Sequence, residues 1–152
     1  MKTVLRRALV AAVASGTAIT GLMIGTAGSA SAFDSSSTRL YKGDTMWGYA
    51  NQWLYGYSSS SNYRLVMQSD GNLVEYKTDL VGANQTVCWS TGTWWAGASH
   101  ASYQNDGNFV VYRDSDGAVL WASNTQWRSG SFVNINSSGV IWVGNTAISG
   151  SC

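Results

Sequence analysis

The chain has 152 residues, with nine Lys and Arg against eight Asp and Glu, one His, two Cys, eight Trp and no Pro. So low and balanced a charge leaves no basic patch to hold a phosphate backbone, and nucleic acid is not an expected partner. His100 alone supports neither a zinc cluster nor a histidine relay with a second ligand.

Residues 1–32 open with Lys2, Arg6 and Arg7, continue through an Ala-rich apolar run and end Ala30-Ser31-Ala32. A basic start, a short greasy stretch and small residues at the cut describe a secretory signal peptide, cleaved before Phe33. Ser15, Gly16, Thr17 and Thr20 interrupt the run, which argues against a membrane span. Residues 33–152 then form one secreted, extracellular domain of 120 residues with no membrane span once the leader is gone. Losing three bases leaves six against eight acids, a net charge of −2. An oxidising compartment permits Cys88 and Cys152 to pair, closing a 65-residue loop. Pairing within the chain is the favoured reading; a free Cys152 and a bridge between chains are the alternatives.

No segment sustains a 3.6-residue apolar period. Short runs of Val, Leu, Tyr, Phe and Trp are broken by Gly, Asp, Asn and Ser, which predicts an all-β chain. Residues 58–61 are a polar loop. Strands at 63–68 and 72–77 are predicted to meet at Asp70-Gly71, and strands at 101–104 and 108–113 at Asp106-Gly107, both strong tight-turn pairs. A further turn at Asp114-Ser115-Asp116-Gly117 returns as residues 118–121. Each unit leads to a similar segment, Trp89-Ser90-Thr91-Gly92-Thr93 and then Trp121-Ala122-Ser123-Asn124-Thr125, with a third at Trp142-Val143-Gly144-Asn145-Thr146. This is a threefold repeat of one supersecondary unit, about four strands each. Trp89, Trp121 and Trp142 are expected at equivalent core positions. Trp94 and Trp95, if in a strand, point to opposite faces, one of them buried.

Two nine-residue stretches, 36 residues apart, carry the chemistry: Gln68-Ser69-Asp70-Gly71-Asn72-Leu73-Val74-Glu75-Tyr76 and Gln104-Asn105-Asp106-Gly107-Asn108-Phe109-Val110-Val111-Tyr112. Gln, Asp, Asn, Val and Tyr recur at a spacing of two. A hexopyranose presents hydroxyls that donate and accept, beside a patch of ring C–H. A carboxylate takes a charge-assisted bond from a hydroxyl, and an amide does both jobs. No paired nucleophile and base accompanies these groups, so the chain reads as a binder and not an enzyme. The same residues also have structural work, since Asp and Asn serve turns and Val and Tyr serve strands. Asp114 and Asp116 belong to turn chemistry rather than to a glycosidase pair. His100, with no evident partner, is expected at the surface or on an edge strand.

The pattern Q-x-D-x-N-x-V-x-Y resembles the signature of the bulb-type (monocot mannose-binding) lectins, and both copies match it at all five positions. The resemblance spans residues 39–146. It implies an all-β, β-prism II fold of three four-stranded antiparallel sheets with pseudo-threefold symmetry, needing no cofactor and no metal, as a monomer or homodimer binding mannose-containing glycans. Carried over, Asp70 and Asn72 hold mannose O2, Gln68 holds O3, Tyr76 holds O4 and Val74 touches the ring. Asp106, Asn108, Gln104, Tyr112 and Val110 repeat those roles. Plant members of the family place a cysteine where Gly71 stands here. The third repeat, aligned on its strand, offers Asn134, Asn136, Ser138, Val140 and Trp142, a dead or very weak site. A lectin-like bacteriocin on the same scaffold is the alternative function, and a protease inhibitor using loop 76–88 a weaker one.

Overall fold

The described residues contain twelve short strands, and a period of two, clearest in Asn62–Met67 and Ser99–Tyr103, turns one face of a sheet to the core and the other to solvent. The computed structural model describes residues 33–35 and 37–152; the leader expected at 1–32 lies outside them. In chain order the strands are β1 (Leu40–Tyr41), β2 (Thr45–Trp47), β3 (Trp53–Tyr57), β4 (Asn62–Met67), β5 (Leu73–Thr78), β6 (Gln85–Ser90), β7 (Ser99–Tyr103), β8 (Phe109–Arg113), β9 (Val119–Ala122), β10 (Phe132–Ile135), β11 (Ile141–Val143) and β12 (Thr146–Ala147). They form three four-stranded sheets ordered β3-β4-β5-β6, β2-β7-β8-β9 and β1-β10-β11-β12, every pairing antiparallel. The expected three sheets of four strands are present, but only the first is contiguous. The segment 40–57 sends one strand to each sheet, so the N-terminal part of the domain ties all three together.

The inward rows meet in one core. Leu54, Leu65, Glu75 and Trp89 are cross-strand neighbours in the first sheet, Met46, Ala101, Val111 and Trp121 in the second, and Leu40, Val133 and Val143 in the third. Further matched layers are Met67, Tyr103 and Ile135, and Leu73, Phe109 and Ile141, all buried. Each such aliphatic or aromatic side chain contributes about 1.5–3 kcal/mol by leaving water. Glu75 breaks the pattern. It stands where the other sheets place Val111 and Val143, is 0% exposed, and neither carboxyl oxygen has a hydrogen-bond partner among the described residues. Burial pushes its pKa up to about 7.

Trp89 and Trp121 meet edge to face at 5.4 Å and pack against this core, as expected. Trp142 does not join them. It lies on the outward side of β11, between Asn134 and Ala147. Turn geometry gives the reason. Gly139 (φ +70°) matches Gly71 and Gly107, and the Asn136 N–H to Val140 O bond at 3.0 Å matches Gln68 to Asn72 and Gln104 to Asn108. The third repeat therefore runs Asn136, Ser138, Val140, Trp142, Gly144 at the five motif positions, two residues later than the strand alignment that began at Asn134. Ile141 N–H bonds Ser149 Oγ just as Leu73 N–H bonds Thr91 and Phe109 N–H bonds Ser123. Opposite Val143, at the place where Glu75 faces Trp89 and Val111 faces Trp121, β12 has Thr146, so no tryptophan stands at the third aromatic position.

Bulges interrupt β6 and β9 at matching places. The register shifts between Glu75 and Tyr76, and between Val111 and Tyr112, leaving Cys88 and Leu120 as the extra residues. Leu120 packs on the core, and Cys88 at the same place is bonded to Cys152, with Cα atoms 5.5 Å apart. The C-terminus is held further by Lys77 Nζ, which donates to Cys152 O at 2.9 Å. Among the described residues no helix is long and apolar enough to cross a membrane.

Candidate functional site

Each Q-x-D-x-N-x-V-x-Y stretch leaves one strand, turns, and enters the next. Gly71 (φ +96°) and Gly107 (φ +90°) adopt the left-handed backbone that the turn requires. At Gly71 a side chain is also excluded by space, since a Cβ there would lie 2.6 Å from Gly97 O. This is the position at which plant relatives were expected to carry cysteine. Asp70 Oδ1 accepts from Asn72 N–H at 2.9 Å, and Asp106 Oδ1 accepts from Asn108 N–H at 2.9 Å. One carboxylate oxygen thus shapes the turn, and the other has no protein partner among the described residues.

The asparagines are oriented by the chain that follows each sheet. Asn72 Oδ1 accepts from Thr91 Oγ1 at 3.0 Å and from Thr93 N–H at 3.1 Å. Asn108 Oδ1 accepts from Ser123 Oγ at 3.1 Å and from Thr125 N–H at 3.2 Å. A backbone N–H only donates, so the amide oxygen must face it and Nδ2 is left for a ligand. Thr93 and Thr125 hydroxyls close the frame by donating to Gly71 O and Gly107 O, each at 2.7 Å. Gln68 Nε2 donates to Tyr76 OH and Gln104 Nε2 to Tyr112 OH, both at 2.7 Å. Each tyrosine hydroxyl, having accepted, keeps its own proton to give.

Every expected site residue therefore falls into one of two matching constellations. Each offers two acceptors (the second Asp oxygen and Gln Oε1) and three donors (Asn Nδ2, the second Gln N–H and the Tyr hydroxyl). Val74 and Val110 lie on the same outward faces but are only 4% and 2% exposed, so they form floor and present little methyl surface. Their neighbours differ. Val74 lies beside Val66, with Trp53 one strand further along the row, whereas Val110 lies beside Ser102, with Thr45 one strand further and the two hydroxyls meeting at 2.7 Å.

The third turn retains the amide, with Asn136 Oδ1 accepting from Ser138 and Val140 N–H. Val140, Trp142 and Gly144 replace Asn, Val and Tyr, and Asn134 lies two residues upstream, level with Val66 and Ser102. The three residues expected there, Asn134, Asn136 and Ser138, do not form a constellation like the other two.

Two other expectations are corrected. Trp94 and Trp95 are on a turn, not in a strand, and are 64% and 65% exposed. That turn is anchored to the first site by Gly97 N–H donating to Asp70 O at 2.9 Å, and Trp127 N–H anchors the second by donating to Asp106 O at 2.6 Å. His100 is on β7, an interior strand, and it has a partner: Nδ1 lies 2.5 Å from Asp114 Oδ1. Its ring lies between Trp47, at 4.7 Å, and Tyr112, at 5.5 Å. Asp116 does serve its turn, accepting from Ala118 N–H and pairing with Arg113.

The residues that sequence reasoning passed over are Thr91, Thr93, Ser123 and Thr125. Their signal was present in the paired segments after Trp89 and Trp121, each with a hydroxyl two and four residues on.

No family model matches the chain, and no curated protein sequence matches it. Solved structures do. The mannose-specific agglutinin of snowdrop (Galanthus nivalis) bulbs, complexed with methyl-α-D-mannoside, is 29% identical with a TM-score of 0.55, over 72% of this chain and 91% of that one. A monomeric monocot mannose-binding lectin from Gastrodia elata is 29% identical with a TM-score of 0.53, over 74% and 94%. A lectin from garlic (Allium sativum) is 31% identical with a TM-score of 0.54, over 69% of this chain and 90% of its own. With that degree of identity across nearly all of the garlic protein, on the same three-sheet architecture, the chain belongs to the bulb-type (monocot mannose-binding) lectin family and has its β-prism II fold.

Proposed function

We propose that this protein is a secreted lectin that binds mannose and terminal α-mannosides through two shallow sites, one on each motif-bearing sheet. The observation that carries the reading is the identity of the unused hydrogen-bonding groups in the two turns. In each, a carboxylate oxygen and an amide N–H lie on adjacent alternate positions, so one sugar hydroxyl can donate to the first and accept from the second. Assigned to mannose, that hydroxyl is the axial O2, with Gln68 and Gln104 at O3, Tyr76 and Tyr112 at O4, and Val74 and Val110 beneath. Glucose carries O2 equatorially, so selectivity resides in the Asp–Asn pair. The solved relatives named for mannose, and one complexed with a mannoside, support this ligand class. The leader-like residues 1–32 and the Cys88–Cys152 bond support export.

Few polar groups on an open face give a single-site affinity of about millimolar, roughly −4 kcal/mol. Useful avidity then comes from engaging two sites on one rigid domain. Titration of residues 33–152 with methyl α-mannoside is expected to show binding that vanishes in the Asp70→Ala/Asp106→Ala variant while the fold, followed by circular dichroism, persists. A folded parent that binds no mannoside sinks the proposal.

A further inference from the structure

The outward rows of the two motif-bearing sheets share one plan and differ in how a basic side chain is answered. Four residues before each motif glutamine stands a base, Arg64 in β4 and His100 in β7; ten residues after it stand Thr78 and Asp114. In the second sheet these meet, with His100 2.5 Å from Asp114 and covered by Trp47. In the first sheet Thr78 has no charge to offer. The partner that Arg64 does have is neutral: Nη2 donates to Gln85 Oε1 at 3.4 Å, and among the described residues no carboxylate pairs with it.

Where the second sheet is filled, the first is open. A cavity of about 340 Å3 is lined by Tyr55, Asn62, Arg64 and Thr78 together with Leu80 and Val81. That volume is within the range of small-molecule sites. The wall exists because the β5–β6 hairpin is longer. Tyr76 to Trp89 spans 13 residues, against nine from Tyr112 to Trp121. Asp79 braces the added loop, accepting from Ala83 N–H at 2.8 Å and from Asn84 Nδ2 at 2.8 Å. The loop's own carboxylate is thereby engaged, while Leu80 and Val81 are 58% and 85% exposed at its tip.

The lining has the composition of a sugar site with a charge preference. A guanidinium fork matches a carboxylate in two parallel bonds. Asn62 and Thr78 supply neutral donors and acceptors for hydroxyls, and Tyr55 with the loop aliphatics supplies apolar surface for ring C–H. Arg64 is the cross-strand partner of Tyr76, which places their Cβ atoms about 5 Å apart, so the cavity adjoins the first motif.

We infer that this cavity is a subsite for a carboxylate-bearing sugar of the uronic-acid class, linked to the mannose held by the first motif and gripped at its carboxylate by Arg64. It rests on the mannose reading of that motif. The second site, whose base is already neutralised by Asp114, has no such preference.

The test uses residues 33–152 carrying Asp106→Ala, so that only the first site reports. Probes are methyl α-mannoside and two disaccharide sets, glucuronic acid or glucose linked to each hydroxyl of mannose. At one linkage or more the glucuronyl compound is expected to bind about tenfold more tightly than its glucosyl counterpart. Arg64→Gln, and Gln85→Glu, which sets a carboxylate against Arg64, should both close that gap while the fold persists. Raising NaCl from 20 to 500 mM should narrow it in the parent. Equal binding of the two sets in the parent, or a gap that survives Arg64→Gln, overturns the subsite even when methyl α-mannoside binds. Arg64-dependent binding of the acidic set without methyl α-mannoside binding upholds the subsite and overturns the mannose reading. If nothing binds, both fall.

Discussion

Glu75 occupies the inward position that Val111 and Val143 fill in the other sheets, and its unpartnered carboxyl, pushed up to about 7 by burial, couples stability to pH. Below about pH 4.5 the carboxyl is protonated in folded and unfolded chains alike. As pH rises from there to about 7, the unfolded chain releases this proton and the folded chain keeps it, so stability falls and then levels off. The fall is about 3 kcal/mol at most, at 1.36 kcal/mol per pKa unit. Glu75→Val, which is close to volume-conserving and copies the other sheets, is expected to remove it. Denaturant midpoints at pH 4 and pH 8 check this, and parallel pH slopes in parent and variant would contradict it. The motif side chains were legible in the sequence because five identities recur at alternate positions. Asp70 and Asn72 also hold their own turn: Asp70 accepts from Asn72 N–H, and Asn72 accepts from Thr91 and Thr93, about 20 residues away in the chain. Asn72→Ala should therefore cost both mannoside binding at that site and about 1–3 kcal/mol of stability, since it leaves Thr93 N–H unanswered. Loss of binding with unchanged stability would mean that the frame does not depend on Asn72.

The hairpins at Asp70-Gly71 and Asp106-Gly107 could be read from local chemistry, because the turn demands a left-handed glycine and the flanks are strand formers. The third hairpin was misplaced for an equally local reason. Trp142 imitates the Trp89 and Trp121 segments, yet Gly139, not the tryptophan, sets the register. Strands β1 and β2 have two and three residues and carry no period that could be recognised alone. They exist because Leu40 and Met46 complete inward rows begun by β10 and β7. Trp94 and Trp95 escape the strand rule because Gly97 N–H ties their segment to Asp70 O. The bulge that presents Cys88 gives the disulfide its place. Cys88→Ser/Cys152→Ser is expected to lose about 4 kcal/mol by the loop-entropy estimate, with mannoside binding retained below the lowered melting temperature. A variant as stable as the parent would show that Lys77 and the core hold the C-terminus without the bond.

Taken whole, the domain is a three-sided prism in which one repeat has kept its turn and lost its ligand groups. Sequence spacing conveyed the threefold plan, whereas the donation of one N-terminal strand to each sheet depends on long-range closure that no local pattern records. Two faces carry the same unused donors and acceptors, and the third carries Val140, Trp142 and Gly144 in their place. The most direct measurement is the stoichiometry of methyl α-mannoside binding to residues 33–152, read as chemical-shift perturbation of the turn amides during titration. Two independent sets of shifts are expected, one around Gly71 and Asn72 and one around Gly107 and Asn108, with none at Gly139. Asp70→Ala should abolish the first set alone and Asp106→Ala the second alone. Shifts at Gly139, or a single set that either substitution removes entirely, would contradict two separate sites on a prism with a silent third face.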